Sequence, residues 1–424
     1  MKLKSIFFID GVRTPFQLSG TNYQNLNSYQ LASFSLKGLL NKFNSDIQND
    51  IGNIILGNVI QDSKTSNISR ESALISGLNN KIPANTVSMA CISSNKAITD
   101  CINDIIVGNS MAGIAGGVET MSDLPIKLSK PVRKILIEST KWRNITQKIN
   151  GISKLKLKDI GIEVPSITEF STNETMGYSA DKLAHKWNVS RSEQDEFAFK
   201  SHISASKAQT DGNLSDVLNI SVPNLISHDN IIKHNTNLKK LNSLKPVFIK
   251  NFGSITAGNA SSLTDGASNC LLANEEFIEK YNLNPKCEIV DYLYYGTDPN
   301  NELLLGPAYA TSILLKKNNL SINDIDVFEI HEAFAGQVLA NINALDSTKF
   351  AQNLNLDKQG IIPMDKINSW GGSLSLGHPF GATGVRLLSM ASNRLKKNNS
   401  NLGLITACAA GGLGHAMIIK NIEN

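Results

Sequence analysis

The sequence predicts an α/β fold made of two duplicated halves with a further segment inserted between them. Three observations lead there. First, Asn49-Asp50-Ile51-Gly52-Asn53-Ile54-Ile55-Leu56-Gly57 and Asn323-Asp324-Ile325-Asp326-Val327-Phe328-Glu329-Ile330-His331 share a weak pattern, an acidic turn leading into a short apolar run that reads as a buried strand. Second, each copy is followed by a reactive side chain, Cys91 or His378, and then by a helix and a strand. Third, residues 126 to 261 differ in texture from both flanks. Strands alternating with helices predict mostly parallel sheets covered on both faces.

Taken in order, the chain enters a strand-like run, Ile6-Phe7-Phe8-Ile9, almost at once, so neither a signal nor a transit peptide is expected ahead of it. After Cys91, residues Ala97, Ile98, Cys101, Ile102, Ile105 and Ile106 form one apolar helical stripe. A strand, Met111 to Ala115, follows and ends in Gly116-Gly117. The inserted segment is basic over 126–158, helical around Tyr178 to Ala208, and then polar. It ends in a Gly/Ala/Ser-rich stretch, Gly253 to Ala267, suited to close approach by a ligand backbone or phosphate chain. Beyond His378, the stripe Val385, Leu388, Met390 and Leu395 leads to a buried strand, Leu402 to Ala407. The expected division is therefore 1–125 with 262–283 as the half bearing Cys91, 126–261 as a loop domain, and 284–424 as the half bearing His331, His378 and Cys408.

Composition narrows the class. At 424 residues, 41% hydrophobic and 18% charged, the chain has the make-up of a globular enzyme and not of a disordered, collagenous or disulfide-dense protein. No apolar run reaches the ~18 residues needed to span a bilayer. Five cysteines, odd in number and with no Cys-x-x-Cys pair, argue against a disulfide framework or a structural zinc site and for a reducing compartment, taken as the cytoplasm. The net charge of +4 hides an asymmetry: residues 126–158 hold ten Lys/Arg against Glu138 alone, leaving the remainder acidic. That stretch, with apolar Ile135, Leu136, Ile137, Trp142, Ile145 and Ile149 interleaved, reads either as a solvated helical face or as a surface for anionic lipid or a partner subunit. The acidic remainder argues against nucleic acid.

The candidate chemistry lies on tight loops. A free thiol is only a few per cent thiolate at neutral pH, and Cys91 precedes a helix whose N-terminus would favour the anion. A lone cysteine is ordinarily a small core residue, but Ser88, Ser93, Ser94 and Asn95 make a poor core environment. His378 sits in Gly377-His378-Pro379-Phe380-Gly381-Ala382-Thr383-Gly384, where glycines let the backbone project one side chain while donating amides. Cys408 ends an apolar run ahead of Gly411, Gly412 and Gly414, a setting for an exposed thiol beside a donor loop. His331 lies just beyond a strand end, where open α/β sheets place ligand-binding groups, though taken alone a structural role is as good a reading. Cys101, Cys270 and Cys287 fall on apolar elements and read as core, and the remaining histidines have no supporting context.

These segments in this order, from Asp10-Gly11-Val12-Arg13-Thr14-Pro15-Phe16 to Gly414-His415-Ala416-Met417, resemble the thiolase family over essentially the whole chain. Most thiolases carry Asn-Glu-Ala-Phe where this chain has His331-Glu332-Ala333-Phe334. That histidine, with Trp370-Gly371-Gly372-Ser373 and Cys408-Ala409-Ala410-Gly411-Gly412, looks like the 3-ketoacyl-CoA thiolase (β) subunits of fatty-acid oxidation trifunctional complexes. The resemblance implies an acyltransferase with Cys91 as acylated nucleophile, His378 as its base and Cys408 as the acid/base at the acetyl carbon. It also implies His331 holding a water that helps bind the enolate oxygen, and the Cys91 and Ala410 amides holding the other oxyanion. Met176 and Ser261 match positions lining the pantetheine of coenzyme A, a substrate here; no permanent cofactor or metal is implied. A homodimer and a hydratase/dehydrogenase α subunit are the implied partners. A biosynthetic acetoacetyl-CoA thiolase would use the same residues in reverse, a ketoacyl synthase lacks the second cysteine, and a silent scaffold subunit would not need all three reactive groups.

Overall fold

The structure is a computed structural model describing residues 5–166 and 168–422. The outermost residues of the two expected halves, 1–4 and 423–424, lie outside the described residues. The principal strands are β1 (Ile6–Arg13), β2 (Ile51–Gly57), β3 (Ala84–Val87), β4 (Ala112–Glu119), β5 (Thr264–Asn274), β6 (Cys287–Gly296), β7 (Val327–Ile330), β8 (Leu402–Ala409) and β9 (Leu413–Asn421). They lie in one sheet in the order β7-β8-β9-β6-β1-β5-β4-β2-β3.

The α/β class holds, and the ladders qualify the expected strand direction. Parallel ladders occupy the two wings, β2 with β3 and β4 on one side and β7 with β8 on the other. Everything between is antiparallel: β4 to β5, β5 to β1, β1 to β6, β6 to β9 and β9 to β8. The wings are where strand, helix and strand alternate in sequence, which enforces parallel pairing. The middle strands return after the long insertion or through the tight Ala410-Gly411-Gly412 turn, and a returning strand pairs antiparallel.

The duplication is visible in this order. Reading outward from the β1–β6 seam, the strands run β1, β5, β4, β2, β3 on one side and β6, β9, β8, β7 on the other, and a parallel bridge from Phe328 to Ile367 stands where β3 stands in the first half. Each acidic turn is a short 3-10 helix, Ser45–Asn49 and Ile322–Asp324, just ahead of its strand.

The two central helices are α1 (Ser93–Ile106), after Cys91, and α2 (Thr383–Asn398), after His378. They pack on each other and share one core with strands of both halves, including Ile98, Cys101, Cys270, Cys287, Val385, Leu388, Ile405 and Met417. All three cysteines read as core are buried there. The strand expected to stop before Gly116 runs on to Glu119 because these glycines permit close packing: a Cβ on Gly117 would meet the Gly381 carbonyl oxygen at 1.8 Å.

The inserted stretch divides physically. The helices Met176–Lys186 and Arg191–Thr210 bury Ala180, Leu183, Phe197 and Ala198 in the same core as Leu304, Val338 and Ile330. By contrast, the helix Lys130–Ser139 buries no residue and Ile145–Ile152 buries Gly151 alone.

Candidate active site

Both reactive loops arise from one packing choice, the pairing of the central helices α1 and α2 N-terminus to N-terminus around a cavity of about 530 Å³. Its walls include Cys91, His378, Cys408, Met176, Ser261 and Ala410. His331 lies one layer behind, its ring centroid 4.0 Å from that of His378. The donor atoms of Cys91, His331 and His378 lie within 4.8 Å of one another, the one set among the described residues able to hold a metal ion. All seven candidate residues are thus brought together.

Cys91 is aimed by backbone strain. Ala90, just before it, has φ +46°, a left-handed conformation that costs an L-residue of order 1–3 kcal/mol. Of the neighbours judged unfit for a core, Ser88 is exposed, whereas Ser93, Ser94 and Asn95 are buried, all at 1% exposure or less. The two serines are satisfied there. Ser93 Oγ accepts from the Met89 amide at 2.8 Å and donates to the Ala90 carbonyl at 2.6 Å, locking the elbow. Ser94 Oγ accepts from the Gly384 amide at 2.8 Å, tying one central helix to the other. Burial pushes the Cys91 thiol up to about 12, while the amides of Ala410 and of Cys91 itself pull the other way. In the resting site it is a neutral thiol already touched by the two amides expected to hold an oxyanion.

His378 is held from below. Its Nδ1 lies 2.6 Å from Thr383 Oγ1, and that hydroxyl donates to the Pro379 carbonyl at 3.0 Å. With its proton on that carbonyl the hydroxyl accepts from Nδ1–H, and Nε2 then carries a lone pair, the form a base requires. Nε2 is buried with no hydrogen-bond partner among the described residues. Burial and the charge of Arg386 push the imidazole down to about 3, so it rests neutral.

The site corrects the expectation of an exposed Cys408: it is 1% exposed. The strand β8 carries it under the Ala410-Gly411-Gly412 turn, and burial, with the neighbouring Cys91, pushes its thiol up. A thiol so placed keeps its proton until a stronger base appears beside it. Gly411 and Gly412 have φ +83° and +71°, which the turn requires. The Gly411 amide donates to Glu169 Oε2 at 2.6 Å, so a carboxylate from the insertion steadies the loop that presents Ala410.

The Gly/Ala/Ser-rich stretch threads between the two halves. A bridge joins Ala260 to Phe334 and another joins Leu263 to His378, bracketing Ser261, whose amide donates to the Ala333 carbonyl at 2.9 Å. Met176 opens its helix at the cavity, behind a Thr175 cap accepting from the Tyr178 amide at 3.3 Å.

Several participants went unread in the sequence: Thr383, Glu169, Glu119, Ser373 and Arg386. Glu119 accepts from the Val59, Ile60 and Gly381 amides at 3.0–3.1 Å, joining the cavity wall to the His378 loop, and burial pushes it up to about 8. The Gly-Gly-Val-Glu run at the end of β4 was the available signal.

Comparison with known proteins shows the family and the fold. Residues 6–276 match the family described as thiolase, N-terminal domain, and 283–421 match thiolase, C-terminal domain. The chain is 50% identical to the bovine mitochondrial trifunctional enzyme subunit beta over 99% of its own length and 88% of the relative's. Human mitochondrial 3-ketoacyl-CoA thiolase, solved in complex with CoA, superposes with a TM-score of 0.82 at 30% identity over 99% of this chain and 98% of that one. A Bacillus anthracis acetyl-CoA acetyltransferase superposes with a TM-score of 0.84 at 30% identity over 99% of each.

Proposed function

Since the chain belongs to the thiolase family, we propose that it is a 3-ketoacyl-CoA thiolase. It cleaves 3-ketoacyl-CoA with coenzyme A to acetyl-CoA and an acyl-CoA shortened by two carbons, as in fatty-acid β-oxidation. The observation that carries this reading is the convergence of Cys91, His378 and Cys408 on one cavity.

In this reading a neutral thiol faces a neutral imidazole, so proton transfer from Cys91 to His378 Nε2 accompanies attack on the 3-keto carbon. The Cys91 and Ala410 amides receive the oxyanion, a type of contact worth about 2.7–4 kcal/mol. Collapse breaks the carbon–carbon bond and expels the acetyl-CoA enolate. His378, now carrying the thiol's proton on Nε2, donates to the enolate oxygen, and His331 acts beside it through a water. Cys408, kept protonated by burial, delivers a proton to the acetyl carbon. Incoming CoA gives its thiol proton to the Cys408 thiolate and attacks the acyl carbonyl, the Cys91 sulfur leaves and retakes its proton from His378, and Met176 and Ser261 line the pantetheine arm.

The test is CoA-dependent cleavage of 3-ketoacyl-CoAs of increasing length, with intact-mass detection of an acyl adduct on Cys91. No cleavage at any length, or turnover without that adduct, overturns the reading. Activity confined to acetoacetyl-CoA would favour the biosynthetic alternative, which uses the same residues.

The partner reading rests on the segment 126–158. Ile137, Ile145, Ile149 and Leu157 are each more than 60% exposed there among the lysines. Such a surface fits a hydratase/dehydrogenase partner subunit or an anionic membrane. Co-purification with a candidate partner tests the first, and liposome sedimentation with these lysines neutralised tests the second. Dimerisation is proposed from the family alone. The free cysteines suit a reducing compartment. The sequence expectation was the cytoplasm, the bovine relative's name places that protein in mitochondria, and fractionation separates the two. No helix among the described residues is long and apolar enough to cross a membrane.

A further inference from the structure

Behind the cavity the polar atoms form a chain that ends on His331. Arg386, buried on the central helix α2, donates from Nη2 to Ser373 Oγ at 2.7 Å, and Ser373 Oγ lies 2.8 Å from His331 Nδ1. Arg386 is set by two buried carboxylates, with Glu329 Oε2 at 3.9 Å and Glu332 close enough to favour its charge. Glu332 is fixed in turn by Asn368, Ser201 and the Leu374 amide at 2.7–3.1 Å.

A guanidinium can only donate, so Ser373 Oγ accepts from Arg386. Its own proton then has one acceptor within reach among the described residues, His331 Nδ1. Were Nδ1 protonated as well, two donors would converge on one oxygen and the buried hydroxyl proton would be orphaned, at a cost comparable to a lost hydrogen bond. His331 therefore carries its proton on Nε2. That atom is buried and has no partner among the described residues, just as Nε2 of His378 has none. Two hydroxyls thus set two adjacent rings, tilted 46° to each other, in opposite tautomers. Thr383 gives His378 a bare lone pair, and Ser373 gives His331 an N–H.

We propose that Ser373, primed by Arg386, is a positioning residue that fixes His331 as an Nε2–H donor toward the reacting carbonyl. This rests on the thiolase reading of the site and goes beyond it by naming what makes a histidine usable at a position where most family members carry an asparagine. An asparagine amide always offers an N–H. An imidazole offers one in the required direction only if its other nitrogen is held as an acceptor, and the arginine–serine pair does that.

The test is a double-mutant cycle on the full-length protein. Ser373→Ala is expected to lower kcat about ten-fold or more, up to the roughly 10²–10³ of an oxyanion donor lost outright, with KM within two-fold of wild type. In a His331→Asn background the same serine substitution is expected to cost less than two-fold, because an amide needs no tautomer control. Equal losses in both backgrounds, or no loss in the wild-type background, overturn the proposal while leaving the function reading intact. A wild-type protein inactive on every 3-ketoacyl-CoA would sink the function reading instead. Should Ser373→Ala fail to fold, nitrogen-15 NMR of the wild-type protein decides, with His331 assigned by its absence in His331→Asn. An unprotonated Nδ1 supports the proposal and a protonated Nδ1 overturns it.

Discussion

His415 offers a clean test of how this interior treats charge. It lies in β9 with 0% exposure, its ring 4.7 Å from that of Tyr294 and its Nδ1 accepting from Asn95 Nδ2 at 3.2 Å. Burial, with no anion among the described residues to offset it, pushes its imidazole down to about 3 from an ordinary value of 6.5. Unfolding restores the ordinary value. Below pH 6.5 the unfolded chain therefore binds a proton that the native protein refuses, so this residue's contribution is intact above 6.5 and lost as pH falls toward 3. At 1.36 kcal/mol per unit the loss is about 2 kcal/mol at pH 5 and about 4 kcal/mol at pH 3, where the native imidazole is itself half protonated. His415→Phe keeps a ring against Tyr294 and removes the titration, at a pH-independent cost of about 1 kcal/mol for the Asn95 hydrogen bond. Urea unfolding at pH 7.5, 6 and 5, followed by circular dichroism and tryptophan fluorescence, should show wild type the more stable at pH 7.5 and the gap moving by about 2 kcal/mol in the variant's favour by pH 5. A gap constant across that range would mean the native protein accepts the proton by opening around β9, and the reasoning would fail.

Cys408→Ser should cut turnover by about two orders of magnitude, the lower end for a lost proton-transfer group, while Cys91 still acquires an acyl adduct by intact mass. Full turnover would remove Cys408 from the mechanism. Glu169→Gln should lower the melting temperature by a few degrees at most and slow turnover about ten-fold, since a charge-assisted bond of about 1.5–3 kcal/mol holds the Gly411 amide next to Ala410. An unaffected rate would show that loop to be rigid by itself. Gly381→Ala should not yield folded protein, because the added carbon would lie 2.4 Å from the Val118 carbonyl oxygen and 2.6 Å from that of Gly57; a normal melting temperature refutes the tight seam between the halves.

The sequence made the reactive loops legible because their chemistry needs unusual local residues. Glycine around His378 and Cys408 and small polar residues around Cys91 stand out in a linear reading. The supporting groups did not, because they look like surface. Arg386 and Arg394 fall on a helix whose apolar stripe implied one wet face, and charged side chains are almost never fully buried unless paired. Yet α2 lies between both halves and is buried all round, so its arginines pair inward with Glu329. Strand direction was equally hidden. A period of alternation reveals that a strand exists, whereas its direction depends on where the chain has been since its neighbour, here through an insertion of more than a hundred residues.

The ladders carry the duplication down to single residues. Gly57 pairs with Gly117 at the end of β2, and Ile330 pairs with Thr406 at the end of β7. Stepping on by equal numbers sets Asn58 against His331 and Glu119 against Cys408. In the first half those two positions hydrogen-bond each other, Asn58 Nδ2 to Glu119 Oε1 at 3.2 Å, and Glu119 reaches across to the Gly381 amide of the His378 loop. In the second half the same positions hold an imidazole and a thiol facing the cavity region. One copy therefore braces the loop on which the other copy's base is mounted. This division explains why Cys91 and His378, each ahead of a central helix in its own half, meet across the seam: two equivalent helix N-termini converge on one cavity. The sequence differences between the halves then decide which one supplies the nucleophile and which the base and acid.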